Sequence, residues 1–227
     1  MKKVLFVVTS HEDLGNTGRK TGVWLEEFVA PYYHLSDAGI QIDIVTPKGG
    51  AAPIDPMSEE PAFQTDDTKR FYNDKELQNA LANTLRLAEV SQDGYAAVFY
   101  PGGHGPLYDL AEDPQSIALI ESFHANNKWI GAVCHGPGAL KNVKNADGTP
   151  IVKGKKVNAF ANTEEEELES TKIVPFSTED MLRANGGIYV KTDENWAAFA
   201  VEDYPLITGQ NPASSKMVAE MLLQKLS

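Results

Sequence analysis

Short apolar segments rich in β-branched and aromatic residues alternate along the chain with longer segments of helical character. The four clearest are VLFVV at 4–8, IQIDIV at 40–45, AAVFY at 96–100 and WIGAV at 129–133. Strands of this kind, separated by helices, are typical of a parallel sheet that is buried on both faces. The alternation therefore predicts an α/β fold with a doubly wound, mostly parallel sheet and helices on both faces.

The segments between these strands carry helix signals of their own. A capping residue precedes some of them, and a glycine follows others. A Pro- and Gly-rich stretch at 47–67 shows no period, and we expect it to form a long surface excursion. No segment resembles a linker, so one domain over residues 1–227 is expected. The predicted helices are 22–38, 74–90, 114–126, 178–185 and 212–226.

Charge and cysteine content restrict the possible binding partners and the cellular location of the protein. The formal net charge is −12, from 32 acidic and 20 basic residues, and such a field repels nucleic acids and anionic lipid surfaces. The single cysteine cannot form an internal disulfide, which favours a reducing compartment. No apolar run approaches the roughly 18 residues of a membrane span. We expect a cytoplasmic protein that binds neither nucleic acid nor membranes.

The single cysteine, Cys134, directly follows the predicted strand at 129–133 and precedes the sequence HGPGAL. Ligands of doubly wound sheets bind at the carboxyl ends of the strands. A strand-to-helix turn at this place resembles a nucleophile elbow, and a helix N-terminus would favour the thiolate and lower the thiol pKa. The alternative is a small buried hydrophobic residue, which is the commoner fate of a free cysteine.

A glycine-rich loop follows the strand at 96–100 and should reach the same edge of the sheet. Its backbone N–H groups at Gly102, Gly103 and Gly105 are candidates for an oxyanion hole together with that of His135. Such a loop alone usually means only a tight turn. It matches neither a dinucleotide-binding nor a phosphate-binding glycine motif.

The five histidines restrict the kind of cysteine chemistry. Downstream of Cys134 the chain contains only His135, so an enzyme that takes its base from a distant downstream histidine cannot be built. The side chains of adjacent turn residues diverge, which leaves open that His135 orients the thiol without deprotonating it.

Two glutamate sites complete the candidates. Glu27 lies four residues before Pro31 and beside Trp24, where partial desolvation would suit a general acid or base. The alternative for Glu27 is an ordinary surface glutamate. The acidic run at 164–167 is typical of a solvated helix start, although one of its members could hold the imidazole of His135.

These residues together resemble the ThiJ/PfpI superfamily, which has a flavodoxin-like, class I glutamine amidotransferase-like fold. The chain is most similar to its heat-shock-protein-31-like, glyoxalase III-like branch. The resemblance covers nearly the whole chain, and its most specific motif is the cysteine with its neighbouring histidine. It rests on AVCHGPGAL at 132–140, PGGHG at 101–105, TGVWLEE at 21–27 and LITGQNPASS at 206–215.

The resemblance implies roles for individual residues. Cys134 matches the nucleophile of the family, His135 its neighbouring histidine and Glu27 its conserved glutamate. The acid that partners the histidine falls at Glu165, with the register open among residues 164–167.

The resemblance also bears on the substrate site and on metals. Gly103 would supply an oxyanion-hole N–H, and His104 and Trp24 are candidates for substrate contacts. Ser36 stands where some members carry a metal-binding histidine, so neither a metal nor a cofactor is implied.

The resemblance implies a cofactor-free, glutathione-independent glyoxalase that converts methylglyoxal and related 2-oxoaldehydes to 2-hydroxy acids through a cysteine hemithioacetal. It also implies a homodimer. Three other functions stay open: a cysteine peptidase or amidase, a protein deglycase, and a stress-response holding chaperone or redox sensor.

Overall fold

The computed structural model describes residues 2–226 and contains a seven-stranded sheet in the order β3-β2-β1-β4-β5-β9-β8. A separate parallel pair, β6-β7, forms a second small sheet. The strands are β1 (Lys3–Val7), β2 (Gln41–Thr46), β3 (Leu85–Arg86), β4 (Ala97–Tyr100), β5 (Trp129–Val133), β6 (Lys156–Val157), β7 (Ile188–Tyr189), β8 (Ala200–Asp203) and β9 (Leu206–Gly209).

Neighbouring strands of the large sheet are parallel except for β8, which runs antiparallel to β9 at one edge. The chain runs outward from β1 to β3 and then returns to the other side of β1 with β4. The predicted mostly parallel, doubly wound sheet is therefore confirmed.

Seven α-helices connect the strands, and most begin near their predicted positions. Pro31 lies inside the first helix. The 212–226 segment starts with a 3-10 turn before its α-helix. The helices are α1 (Leu25–Asp37), α2 (Asp66–Asn73), α3 (Lys75–Ala82), α4 (Pro114–Ala125), α5 (Asn162–Glu167), α6 (Thr178–Ala184) and α7 (Ser215–Leu226).

The predicted helix over 74–90 is wrong in its second half. The chain leaves α3 at Ala82, and β3 then pairs with β2 at the edge of the sheet. Thr84 exchanges two backbone hydrogen bonds with Gly50, and its hydroxyl lies 2.8 Å from that of Thr46. These long-range bonds outweigh the local preference for helix.

The excursion at 47–67 is more ordered than its sequence indicates. It contains 3-10 turns at Pro56–Glu59 and Pro61–Phe63, and α2 begins at Asp66. Asp55 is buried and accepts a hydrogen bond from the Thr21 hydroxyl. The segment thus packs against the loop that precedes α1.

The core has one apolar cluster on each face of the sheet. Along β1, Leu5 and Val7 belong to one cluster, whereas Val4 and Phe6 belong to the other. Both sets are fully buried, as expected for a parallel sheet covered by helices. Between these layers the strands hold the loops after β4 and β5 rigidly at one edge of the sheet.

In the part of the chain that is described, no helix combines the length and the apolar character that crossing a membrane requires.

Candidate active site

Cys134 lies at the carboxyl end of β5, in the predicted strand-to-helix turn. Its backbone is in the left-handed region, with φ of 60°, a conformation that costs a non-glycine residue about 1–2 kcal/mol. Its N–H donates to the carbonyl of Gly209 over 2.9 Å, and its carbonyl accepts from the N–H of Phe160 over 2.8 Å. Bonds to two neighbouring segments therefore hold a strained nucleophile position.

The expectation of a lowered thiol pKa is wrong. The segment after Cys134 is a five-residue 3-10 helix, Gly136–Leu140, and the residue is only 4% exposed. Burial raises the pKa of the Cys134 thiol well above its ordinary value, and the Glu27 carboxyl raises it further. The resting sulfur is therefore a thiol, and a base must remove its proton when it reacts.

His135 is placed to be that base. Its Nδ1 lies 3.4 Å from the Cys134 sulfur, so the two side chains meet although they are adjacent in sequence. Its Nε2 donates to Glu165 Oε2 over 2.7 Å, which leaves Nδ1 as an acceptor toward the sulfur. Burial lowers the pKa of His135, so the imidazole is neutral and available as a base.

Glu165 holds the side chains of His104 and His135 in place through hydrogen bonds. Besides His135, it accepts hydrogen bonds from His104 Nε2 over 3.3 Å and from the Ser170 hydroxyl. Burial alone would raise the pKa of Glu165, but His135 and the hydrogen bonds from both histidines hold it well below its ordinary value. The geometry places Glu165, rather than its neighbours, next to His135.

Glu164, one residue earlier, is equally buried but has a different environment. It accepts hydrogen bonds from Gln210, from Asn211 and from the backbone N–H groups of Ala161 and Trp196. These contacts connect α5 to the loop before β8 and to the segment after β9. The expectation of a solvated acidic run applies to Glu166 and Glu167, whose side chains are exposed.

Glu27 is fully buried beside the Cys134 thiol, so the alternative of a surface glutamate is wrong. Its Oε2 accepts the N–H of Gly102 over 2.8 Å, whereas its Oε1 has no hydrogen-bond partner among residues 2–226. Burial raises the pKa of Glu27 to about 8. The carboxyl therefore changes protonation state close to neutral pH, as a general acid or base does.

The glycine loop after β4 serves two purposes. The N–H of Gly102 is used to hold Glu27, and a side chain at this position would come within 2.5 Å of that carboxylate. Gly103 adopts φ of 85°, which favours glycine. Within the described chain, the N–H groups of Gly103 and His135 have no hydrogen-bond partner, and these two donors are available to an oxyanion.

A small, partly open chamber of about 20 Å³ is lined by Cys134. A volume this small is on the scale of one or two water molecules. Sequence reasoning placed Trp24 here but missed the other apolar wall residues, which come from distant loops with no motif of their own. The walls are formed by Trp24, Phe63, Gly103, His104, Cys134, His135, Phe160, Leu168, Trp196 and Pro212.

Two aromatic residues of the chamber are held in place by neighbouring side chains. Phe63, from the 47–67 excursion, packs edge-on against Trp24 at 5.0 Å between ring centroids. Trp196 has a positive φ of 66°, and its indole N–H donates to Glu167. The chamber thus depends on the excursion and on the loop before β8.

Among the described residues, His104, His135 and Glu165 are the group whose donor atoms lie close enough to hold a metal ion, all within 4.8 Å. Two histidines and a carboxylate are ligands that suit zinc. The same atoms already hydrogen-bond to one another, so an ion would have to displace both imidazole protons. The observed contacts fit a proton-transfer network better than a metal site.

Two curated proteins are similar to this chain over nearly its whole length. Glyoxalase 3 of Candida albicans is 30% identical over 97% of this chain and 96% of its own length. Glutathione-independent glyoxalase HSP31 of Saccharomyces cerevisiae is 30% identical over 96% of this chain and 95% of its own.

A solved structure is similar over the full length of both chains. The Rapid Encystment Protein 24 kDa of Francisella tularensis superposes with a TM-score of 0.95 at 39% identity, covering 100% of each chain. The model of the DJ-1/PfpI family matches residues 20–225. The protein whose cysteine, histidine and two buried glutamates meet at this sheet edge belongs to the DJ-1/PfpI family.

Proposed function

We propose that the protein is a glutathione-independent glyoxalase that converts methylglyoxal and related 2-oxoaldehydes to 2-hydroxy acids. The observation that carries the proposal is the chain of contacts from the Cys134 sulfur through His135 to Glu165, opening into a small chamber. The names of the two fungal relatives support the same reaction.

In the first step the Cys134 sulfur bonds to the aldehyde carbon. The thiol proton moves to Nδ1 of His135, 3.4 Å away, and then to the aldehyde oxygen. The N–H groups of Gly103 and His135 stabilise the negative charge that develops on this oxygen. The product is a hemithioacetal.

In the second step a hydrogen moves between the two oxidised carbons of the substrate. A carbon bonded to the sulfur lies next to Glu27, because the Glu27 carboxyl lies beside the same sulfur. Its carboxylate form takes the proton from that carbon and gives an enediol, and its acid form returns a proton to the neighbouring carbon. With a pKa of about 8, Glu27 populates both forms near neutral pH.

The resulting thioester is hydrolysed by water to a 2-hydroxy acid and the free thiol. One carbon is oxidised and its neighbour is reduced within the same molecule, so the electrons balance without an external oxidant or reductant. This chain supplies a nucleophile, a base, an acid and two oxyanion donors.

The size of the chamber favours this substrate class over a peptide. The chamber between Trp24, Phe63 and Trp196 is narrow, so a small molecule needs less rearrangement of these walls than an extended peptide chain, which needs an open cleft. This contact geometry therefore favours a glyoxalase over the peptidase alternative.

The test is lactate formation from methylglyoxal without glutathione. We expect lactate from the parent protein and none above background from Cys134→Ala. A parent that forms no lactate, while its thiol still reacts with iodoacetamide, would reject the glyoxalase and favour the amidase or deglycase alternatives.

The proposal includes a homodimer, expected from the family resemblance, and a cytoplasmic location, expected from the single cysteine. Sedimentation of the purified protein would measure its mass in solution, and fractionation of the source cells would measure its location.

A further inference from the structure

His104 is the second histidine bound to Glu165, and the steps above assign it no proton. Its ring packs at 4.5 Å from that of His135, measured between centroids. The two imidazoles therefore share one carboxylate at one wall of the chamber, but only His135 contacts the sulfur.

The hydrogen bond to Glu165 sets the tautomer of His104. Because Glu165 is a carboxylate, the Nε2 of His104, 3.3 Å from Oε1, carries the proton. Its Nδ1 then has a lone pair, and no group in residues 2–226 donates a hydrogen bond to it. An imidazole whose N–H is held by a carboxylate and whose second nitrogen has no donor is placed to act as a general base.

His104 also occupies a different position relative to solvent. Its ring lines the chamber beside Cys134 and also a second cavity of about 440 Å³ whose walls include Arg19, Lys20 and Glu60. The His104 side chain keeps 10% of its exposure, against 2% for His135. Solvent therefore has more access to His104 than to His135.

We propose that His104 is a further catalytic residue, the base that activates the water for hydrolysis of the thioester on Cys134. The inference rests on the proposed glyoxalase, because it assigns the residue that completes its last step. The two histidines then have different roles. His135 is the base when the carbon–sulfur bond forms, and His104 is the base when that bond is hydrolysed.

The step balances as follows. The water oxygen bonds to the thioester carbon while Nδ1 of His104 takes one of its protons. The tetrahedral intermediate collapses, the carbon–sulfur bond breaks and the sulfur leaves with the electron pair. The proton held by His104 balances the proton that the sulfur regains, so the neutral imidazole and the thiol are both restored.

The experiment separates acylation of Cys134 from deacylation. Purified protein is acetylated with p-nitrophenyl acetate, and intact-protein mass spectrometry follows the appearance and loss of the acetyl group. For His104→Gln we expect deacylation about 100-fold slower than in the parent, within the range of general-base catalysis, and acylation within about threefold of it. Added imidazole should partly restore deacylation, which a merely structural role of His104 would not allow.

Three further variants define the outcomes. His34→Gln removes a histidine of α1 that lies outside the chamber and should change neither rate. His135→Gln should slow acylation. His104→Asn carries the test if His104→Gln does not fold. Deacylation at the parent rate in a folded His104 variant, or equal slowing of both steps, would overturn the proposal.

A methylglyoxal arm keeps this inference distinct from the proposed function. During turnover, His104→Gln should accumulate a covalent adduct on Cys134 that the parent does not accumulate. A parent that deacylates acetyl-Cys134 through His104 but forms no lactate would reject the glyoxalase and leave the role of His104 intact.

Discussion

The N-terminal turns of α1 and α5 each bring a buried glutamate to the same cysteine–histidine pair, yet one carboxyl is anionic and the other takes up a proton. Glu165 accepts hydrogen bonds from His104, His135 and Ser170, and its pKa lies below its ordinary value. Glu27 accepts one, from the N–H of Gly102, and burial raises its pKa to about 8.

The difference shows that burial alone does not decide the charge of a carboxyl. A desolvated carboxylate is retained where several donors converge on it, and it takes up a proton where few do. Here the anionic Glu165 holds the neutral imidazole of His135 in its basic tautomer. The protonatable Glu27 lies beside the Cys134 sulfur. One site thereby obtains a base and an acid from the same residue type.

The largest effect is expected from replacing Glu165, the anionic glutamate. Glu165→Gln should lower kcat/KM for methylglyoxal about 1000-fold, because an amide neither fixes the tautomer of His135 nor stabilises its protonated form. The measurement is steady-state lactate formation. Glu166→Gln, at an exposed neighbouring position, is the control and should stay within twofold of the parent.

Replacing Glu27, the protonatable glutamate, should have a smaller effect on kcat/KM. Glu27→Gln preserves the shape and the Gly102 contact but cannot move a proton, so kcat/KM should fall about 100-fold. Glu26→Gln is the matched control, since Glu26 lies one residue away and accepts a hydrogen bond from Thr65 instead. Equal losses in both variants would show that the effect comes from α1 rather than from proton transfer.

The two glutamates should also affect stability differently with pH. Between pH 4.5 and 8, Glu27 is ionised in the unfolded chain but protonated in the folded one, so the parent loses stability as pH rises. Relative to Glu27→Gln, the unfolding free energy of the parent should fall by about 3.5 kcal/mol from pH 5 to pH 8.

The contribution of Glu165 should have the opposite sign. Its folded pKa is lowered, so the stability it contributes is complete above its unfolded pKa and is lost only as the pH falls below about 4.5. Urea unfolding of the parent, Glu27→Gln and Glu165→Gln at pH 3, 4, 5, 6.5 and 8 measures both. If the difference between the parent and Glu27→Gln does not vary with pH, Glu27 is not protonated in the folded state.

The smallest effect is expected at Ser170, the third donor to Glu165. Ser170→Ala should lower kcat about fivefold and raise the pKa of Glu165, because one hydrogen bond to the carboxylate is lost. The pH profile of kcat is the measurement, and its acidic limb should move to higher pH. Ser36→Ala, on α1 and bonded to the carbonyl of Tyr33, should leave both kcat and the limb unchanged.

Much of the sheet follows from local patterns. The strands that form its centre are continuous apolar runs, and their loops after β4 and β5 carry the motifs that place Gly103, Cys134 and His135 at one edge. The edges were less predictable. β3 depends on the contacts of Thr84 with Gly50 and Thr46, which no local pattern indicates.

The chemistry of the site was only partly predictable for a similar reason. Spacing in the sequence located Glu27 and the acidic run, but the choice between Glu164 and Glu165 depends on which one faces His135 and which faces Gln210 and Asn211. The thiol pKa was predicted with the wrong sign because the sequence indicated a helix N-terminus and not the depth of burial. Ser170 has no motif at all.

The most direct test of one ionised and one protonated glutamate around a single thiol is infrared difference spectroscopy of the carboxyl groups at neutral pH. The account predicts that the spectrum of the parent minus Glu27→Gln contains the C=O stretching band of a protonated carboxylic acid. The spectrum of the parent minus Glu165→Gln should contain only carboxylate bands. A protonated-acid band that disappears with Glu165, or that is absent from the Glu27 difference, would contradict the account.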